Sequence, residues 1–178
     1  MVLAERRRHT LLKSTLILLA ALFLQVAIVS DLEAFGAVGD LLVLVTVAAA
    51  LVDGADRGAT FGFAAGLLYD LVLDTPFGLS ALTYALVGYA VGLVAAAVGR
   101  SGGWWPVALA AAAGAAAMAL YTGIGHLIGM PYPVGELPRI ALVVAVWNAA
   151  LIVPVRGLLR RAFGRREPDR VRLAAFVR

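Results

Sequence analysis

Six apolar stretches divide this chain, and short polar clusters separate them. The stretches cover approximately residues 11–30, 35–52, 58–73, 79–99, 104–130 and 137–155. None alternates polar and apolar positions as a half-exposed strand does, so the pattern predicts helices. A helix of about 20 residues rises ~30 Å, which matches the hydrocarbon core of a bilayer. The pattern therefore predicts an all-α integral membrane protein with about six transmembrane helices.

The composition agrees with exposure to lipid. Of the 178 residues, 62% are hydrophobic and only 15% are charged, whereas a soluble domain keeps about a quarter of its residues charged. The first apolar run is longer than the apolar region of a typical signal peptide, so we expect a retained first helix. The lack of cysteine excludes disulfides, iron–sulfur clusters and thiol catalysis.

The fifteen Lys and Arg residues predict an orientation in the membrane. With six spans, the basic residues of both chain ends and of the second and fourth connections fall on one side, and only Arg139 falls on the other. The positive-inside rule then places both termini in the cytoplasm. We expect residues 1–160 to form the transmembrane domain and residues 161–178 a basic cytoplasmic tail. This tail is predicted to contact anionic lipid, with an acidic protein as the alternative, and nucleic acid is not indicated.

The third apolar stretch places small and acidic residues at intervals of four: Gly58, Gly62, Gly66, Asp70 and Asp74. Residues four apart share one helical face, and glycines on such a face allow another helix to approach closely. That helix could belong to the same chain or to a partner protein. The carboxylate at position 70 could cap the next turn, contact a partner, or hold an ion or proton.

Two residues of the sixth stretch stand out from its apolar surroundings. Asn148 is predicted to form a hydrogen bond between helices, which is the usual role of an amide inside a membrane bundle. Pro154 is predicted to kink or end the helix, because proline lacks the backbone N–H that the ladder uses.

One partial motif invites an enzymatic interpretation. The spacing of Arg57, Gly66, Asp70 and Asp74 is similar to the second half of the motif of CDP-alcohol phosphotransferases, which hold two divalent cations with four carboxylates. However, Ala50 stands where the first acidic residue is needed. We interpret the match as accidental and predict a protein that is not an enzyme and needs no cofactor.

Stretches two to four also carry two longer patterns. Residues 62–71 read GF..GLL.DL and residues 76–92 read P.GLSALTY...GY..G, after an apolar run from Asp40 to Gly54. In these patterns, in length and in the number of predicted spans, the chain resembles the bacterial rod shape-determining protein MreD family. One departure is Gly39, where members often have proline before the helix.

This resemblance implies a non-enzymatic membrane scaffold of the cell-elongation machinery, which synthesises the peptidoglycan side wall. The partners that it implies are an MreC-like bitopic protein, peptidoglycan synthases (a RodA-type polymerase and a penicillin-binding transpeptidase) and the actin-like MreB. We predict that the partner contact surface comprises Gly58, Gly62, Gly66, Asp70, Asp74, Pro76 and Gly78.

An alternative function comes from the same resemblance. The family is similar in helix arrangement to the substrate-binding subunits of energy-coupling-factor (ECF) vitamin transporters, so a subunit that binds a small solute is the second hypothesis. Such a subunit needs polar and aromatic side chains around an outward cavity. The candidates in this sequence are Asp70, Asp74, Tyr132, Glu136 and Arg139.

Overall fold

The computed structural model of the chain describes residues 2–27, 38–73, 75–99, 103–131 and 134–163. The described residues form six α-helices and one short 3-10 helix, Val134–Glu136, that leads into the last of them. The α-helices are α1 (Val2–Ala27), α2 (Leu41–Asp53), α3 (Ala55–Asp70), α4 (Leu79–Val98), α5 (Trp105–Leu127) and α6 (Leu137–Phe163). The prediction of an all-helical fold is confirmed.

Consecutive helices run in opposite directions, so their connections collect at two ends of the bundle. At one end Lys13 Nζ of α1 donates to the carbonyl of Ala162 in α6, at 3.0 Å. We call this the basic end. The opposite end carries the connections α1–α2, α3–α4 and α5–α6, and we call it the distal end.

Helix α2 is the centre of the bundle, and all of its residues from Leu42 to Ala50 are buried. It begins at Leu41 because Asp40 Oδ1 accepts hydrogen bonds from the backbone N–H groups of Leu42 and Val43, at 3.0 and 2.9 Å, as a helix N-cap does. The predicted start near residue 35 is therefore wrong, since residues 38–40 precede the helix.

A single residue connects α2 to α3. Gly54 has a φ of 91°, which glycine adopts without the steric cost of a side chain. Helix α3 therefore starts at once, and its first turn includes Asp56 and Arg57, which precede the third apolar stretch predicted from residue 58. The 13 residues of α2 and the 16 residues of α3 rise only ~20 Å and ~24 Å.

Three of the described helices, α4, α5 and α6, are long and apolar enough to cross a membrane. The described apolar part of α1, Leu12–Ala27, and helix α2 are apolar but shorter. The fold is thus that of an all-helical membrane protein. Six transmembrane helices stay a prediction.

Helix α6 continues through Pro154 as far as Phe163, so the prediction that it ends near residue 155 is wrong. Its last residue is held at the basic end, where the Phe163 ring packs edge-on against Phe61, with centroids 6.2 Å apart. The guanidinium of Arg57 lies 5.3 Å from the same ring centroid and donates to Ser14 Oγ at 2.8 Å. These contacts join α1, α3 and α6, and residues 161–163 of the predicted tail complete the helix.

Candidate functional site

The glycine face of α3 packs against α4 of the same chain. A Cβ atom added at Gly62 would lie 2.3 Å from the carbonyl oxygen of Tyr84, and one added at Gly66 would lie 2.3 Å from the amide nitrogen of Ala81. Gly58 meets the α4 backbone in the same way. The two backbones are in direct contact, which only glycine allows. Packing within the chain is therefore what this face does, and partner contact at these residues stays a prediction.

Asp70 is buried at the end of α3, with 5% of its surface exposed. Its carboxylate accepts hydrogen bonds from the backbone N–H groups of Gly78, Ser80 and Ala81, at 2.9, 3.1 and 3.3 Å. The residue at the N-cap of α4 is Gly78, which has no side chain. Asp70 therefore caps α4 from the preceding helix, as one of the three alternatives for this carboxylate predicted.

The turn from α3 to α4 presents apolar side chains at the distal end. Pro76 is exposed, and Leu71 and Phe77 are 70% and 68% exposed. Gly78 ends the turn with a φ of 98°. Asp74, the remaining residue of the predicted contact surface, lies outside the described residues.

A cavity of about 290 Å³ opens in the distal half of the bundle. All six helices contribute to its wall, which also includes the cap residue of α2. We call it the distal cavity and define it by Gln25, Asp40, Val43, Tyr69, Tyr84, Tyr121 and Val144.

Hydrogen bonds connect the polar residues of the distal cavity to one another. Gln25 donates to the carbonyl of Gly39 at 2.9 Å and accepts from the backbone N–H of Leu41 at 2.7 Å. The hydroxyl of Tyr84 donates to Asp40 Oδ2. These bonds tie the end of α1 and the face of α4 to the start of α2.

Aromatic rings form another part of the wall. The rings of Tyr69 and Tyr84 are stacked, with centroids 6.4 Å apart and an interplanar angle of 24°. Tyr121 adds a third ring from α5. Stacked rings with one hydroxyl bonded to Asp40 give the cavity a polar, aromatic side.

Asn148 lies at the contact of α5 with α6. Both its side-chain nitrogen and its side-chain oxygen are buried without a hydrogen-bond partner in the described part of the chain. Its amide packs against Gly114, where an added Cβ would lie 2.1 Å from the amide nitrogen. The predicted hydrogen bond between helices is therefore not found among these residues.

The family model of the rod shape-determining protein MreD matches residues 5–162. The chain belongs to the MreD family. The match extends over α1, α5 and α6 as well as the central patterns, so the suspected resemblance is confirmed over nearly the whole chain. No curated protein and no solved structure matches the chain significantly.

MreD-family membership gives a role in determining rod shape, in the context of cell-wall synthesis, and the family is not known for enzymes. The positions of the carboxylates in the partial phosphotransferase motif also give no support to an enzymatic site. Asp56 and Asp70 lie near opposite ends of α3, ~21 Å apart along the helix. Asp70 already accepts three backbone hydrogen bonds, so these two carboxylates do not form a common cation site.

The sequence prediction missed the wall of the distal cavity. Glu136 and Arg139 instead form an exposed ion pair with each other, and Asp70 caps α4, so these three do not line it. Asp74 and Tyr132, the other two candidates, lie outside the described residues. The available signals were Gln25, the single polar residue between Leu16 and Val29, and an aspartate placed as an N-cap at position 40.

Proposed function

We propose that this MreD-family chain is a non-enzymatic scaffold of the bacterial cell-elongation machinery that binds an MreC-like bitopic partner. The observation that carries this proposal is the family match over residues 5–162. The geometry is consistent with a scaffold, because the acidic residue that most resembled a catalytic group, Asp70, is used to cap a helix.

The proposal includes six helices in the membrane and both termini in the cytoplasm. Charge supports this orientation, since the basic end carries Lys13, Arg57 and the arginines of the last turn of α6. The short helix α2 packs against all five other α-helices, and the short helix α3 packs along α4, which is long enough to span the membrane. In this orientation the distal end faces outward.

We propose the α3–α4 turn as the contact for the MreC-like partner. Pro76 and Phe77 are exposed there, and exposed aromatic side chains are frequent anchors in protein interfaces. The glycines of α3 and the cap by Asp70 hold this turn in place. The predicted contact surface is therefore divided into exposed residues that touch the partner and buried residues that position them.

Other partners are assigned by position. The peptidoglycan synthases, a RodA-type polymerase and a penicillin-binding transpeptidase, would assemble with the same membrane complex. The actin-like MreB and anionic lipid would meet the cytoplasmic side, where residues 161–178 would add six arginines.

The test is crosslinked co-purification from native membranes, with the recovered proteins identified by mass spectrometry. Phe77→Ala should reduce recovery of the MreC-like protein several-fold, because it removes the exposed ring of the turn. Phe63→Ala is the matched control, since Phe63 is an exposed phenylalanine (51%) in the middle of α3. Equal recovery with both variants would show that the turn is not the contact.

The distal cavity favours one second candidate, the substrate-binding subunit of an ECF-type transporter. A concave site with a few placed polar groups is typical of small-molecule binding. Recovery of paired ATPase subunits with a coupling membrane protein, instead of wall synthases, would favour this candidate over the scaffold.

A further inference from the structure

We propose that the distal cavity binds a small organic cation, which contacts the carboxylate of Asp40 and the rings of Tyr69, Tyr84 and Tyr121. The proposal goes beyond the scaffold function and concerns a different part of the molecule from the exposed α3–α4 turn. It rests on three features of the cavity: its charge, its aromatic wall and its size.

The charge of the cavity wall is negative. Asp40 is the single charged residue among the described residues that line it, and no Lys, Arg or His is present among them. A carboxylate or phosphate ligand would therefore meet a negative wall without a counter-charge. A cation would be attracted, and the attraction is stronger at membrane depth than in water because the surroundings screen it less.

Asp40 has room for a further contact. Its Oδ1 atom accepts two backbone hydrogen bonds from α2, whereas the bond donated to Oδ2 within the described ranges comes from the Tyr84 hydroxyl. A carboxylate offers about four acceptor positions in total. Since Asp40 is half-buried and lines the cavity, the remaining position is available to a ligand.

The aromatic wall suits an ammonium group. Rings attract cations through the negative charge on their faces, and three tyrosines from α3, α4 and α5 line this one space. Tyr69 and Tyr84 are stacked, and Tyr84 also touches Asp40 through its hydroxyl. The carboxylate and the three rings thus lie in the wall of one cavity, where each can attract a cation.

The volume of the cavity and the apolar part of its wall limit the size and the chemistry of the ligand further. A volume of about 290 Å³ corresponds to roughly ten water molecules at ~30 Å³ each. Val43, Met118 and Val144 supply an apolar side, which suits an alkyl or aryl group on the ligand. The class that fits is a small ammonium compound with an apolar body.

The test uses the full chain in lipid nanodiscs, because detergent could occupy the cavity. Choline and benzyltrimethylammonium serve as cationic probes, and 3,3-dimethylbutan-1-ol serves as the uncharged isostere of choline. Saturation-transfer NMR titrations give the affinities. We expect at least one cation to bind about tenfold or more tightly than the isostere. Equal binding of charged and uncharged probes, or no binding of either cation, would overturn the proposal.

Two variants locate the site. Asp40→Asn removes the charge but keeps a good N-cap and an acceptor for Tyr84, so cation affinity should fall about tenfold while the thermal midpoint of the unliganded protein stays close to that of the parent. Tyr121→Leu should weaken binding several-fold, and Tyr121→Phe, which keeps the ring, should not. Unchanged cation affinity in the correctly folded Asp40→Asn protein would assign the binding to another place and refute the proposal.

Discussion

The α3–α4 contact and the distal cavity use glycine and polar residues in opposite ways. At Gly62 an added Cβ would meet a backbone carbonyl at 2.3 Å, and at Gly114, in the cavity region, it would meet the terminal amide of Asn148 at 2.1 Å. The first obstacle is part of a helix and cannot move by itself. The second is the end of a side chain, and it makes no hydrogen bond with the described residues. Similar distances therefore carry different consequences for stability.

The polar groups of the two regions differ as well. In the α3–α4 contact, the carboxylate of Asp70 accepts hydrogen bonds from three backbone N–H groups. At the contact of α5 with α6, Asn148 keeps both side-chain polar atoms without a partner among the described residues. Lipid gives no hydrophobic drive for helix association, so close packing and satisfied polar groups must stabilise the bundle. By both criteria the α3–α4 contact contributes more to the stability of the fold than the contact of Gly114 with Asn148 does.

The largest effect is expected for Gly62→Ala. The added methyl group would push α4 away from α3, and we expect a loss of about 3 kcal/mol or more in the free energy of unfolding. Denaturant titration of the purified protein in bicelles measures this loss. Gly123→Ala is the control, since an added Cβ at Gly123 meets nothing within 4 Å. Equal stability of the two variants would mean that α3 and α4 are not in direct backbone contact.

The next effect is expected for Asp70→Ala. Three backbone N–H groups would lose their acceptor, and we expect a loss of about 2 kcal/mol, because two of them belong to the first turn of α4 and become unsatisfied. Asp70→Asn keeps one acceptor oxygen and should lose less. The same titration measures both variants. An unaltered Asp70→Ala protein would show that another group caps α4.

A smaller effect is expected for Gly114→Ala, although an added Cβ there would lie closer to its neighbour (2.1 Å) than one at Gly62 (2.3 Å). The amide of Asn148 can rotate away because it makes no hydrogen bond with the described residues, so we expect a loss of about 1 kcal/mol or less. Its comparison with Gly62→Ala, in the same titration, tests the difference between the two regions directly. If Gly114→Ala costs as much as Gly62→Ala, the cavity region is as rigid as the α3–α4 contact.

The sequence predicted the packed region better than the cavity. The spacing of Gly58, Gly62 and Gly66 predicted the close approach of a helix, because residues four apart must share a face. It could not identify that helix, since the same spacing serves contacts within a chain and between chains. The cap by Asp70 was foreseen as an alternative, but its three donors lie 8–11 residues away and depend on how the turn folds.

The cavity was out of reach for a different reason. Its wall takes only a few residues from each of six helices, and a single Tyr or Gln in an apolar stretch resembles ordinary packing. Glu136 and Arg139 were predicted to line a cavity because charged residues are rare in an apolar chain. They lie at the entry to α6, where each finds its partner in the other.

The smallest effect is expected for Arg139→Ala, which tests the boundary of the cavity. Both side chains of the Glu136–Arg139 pair are 51% exposed, and exposed pairs contribute about 0–1 kcal/mol, so stability should change by less than ~0.5 kcal/mol. Arg57→Ala is the contrasting variant and should cost more, because Arg57 contacts Ser14 and Phe163. Choline affinity measured by NMR should change less than about twofold with Arg139→Ala, since salt screens exposed charges. A larger change would show that the ligand site reaches the start of α6 and includes the charged residues there.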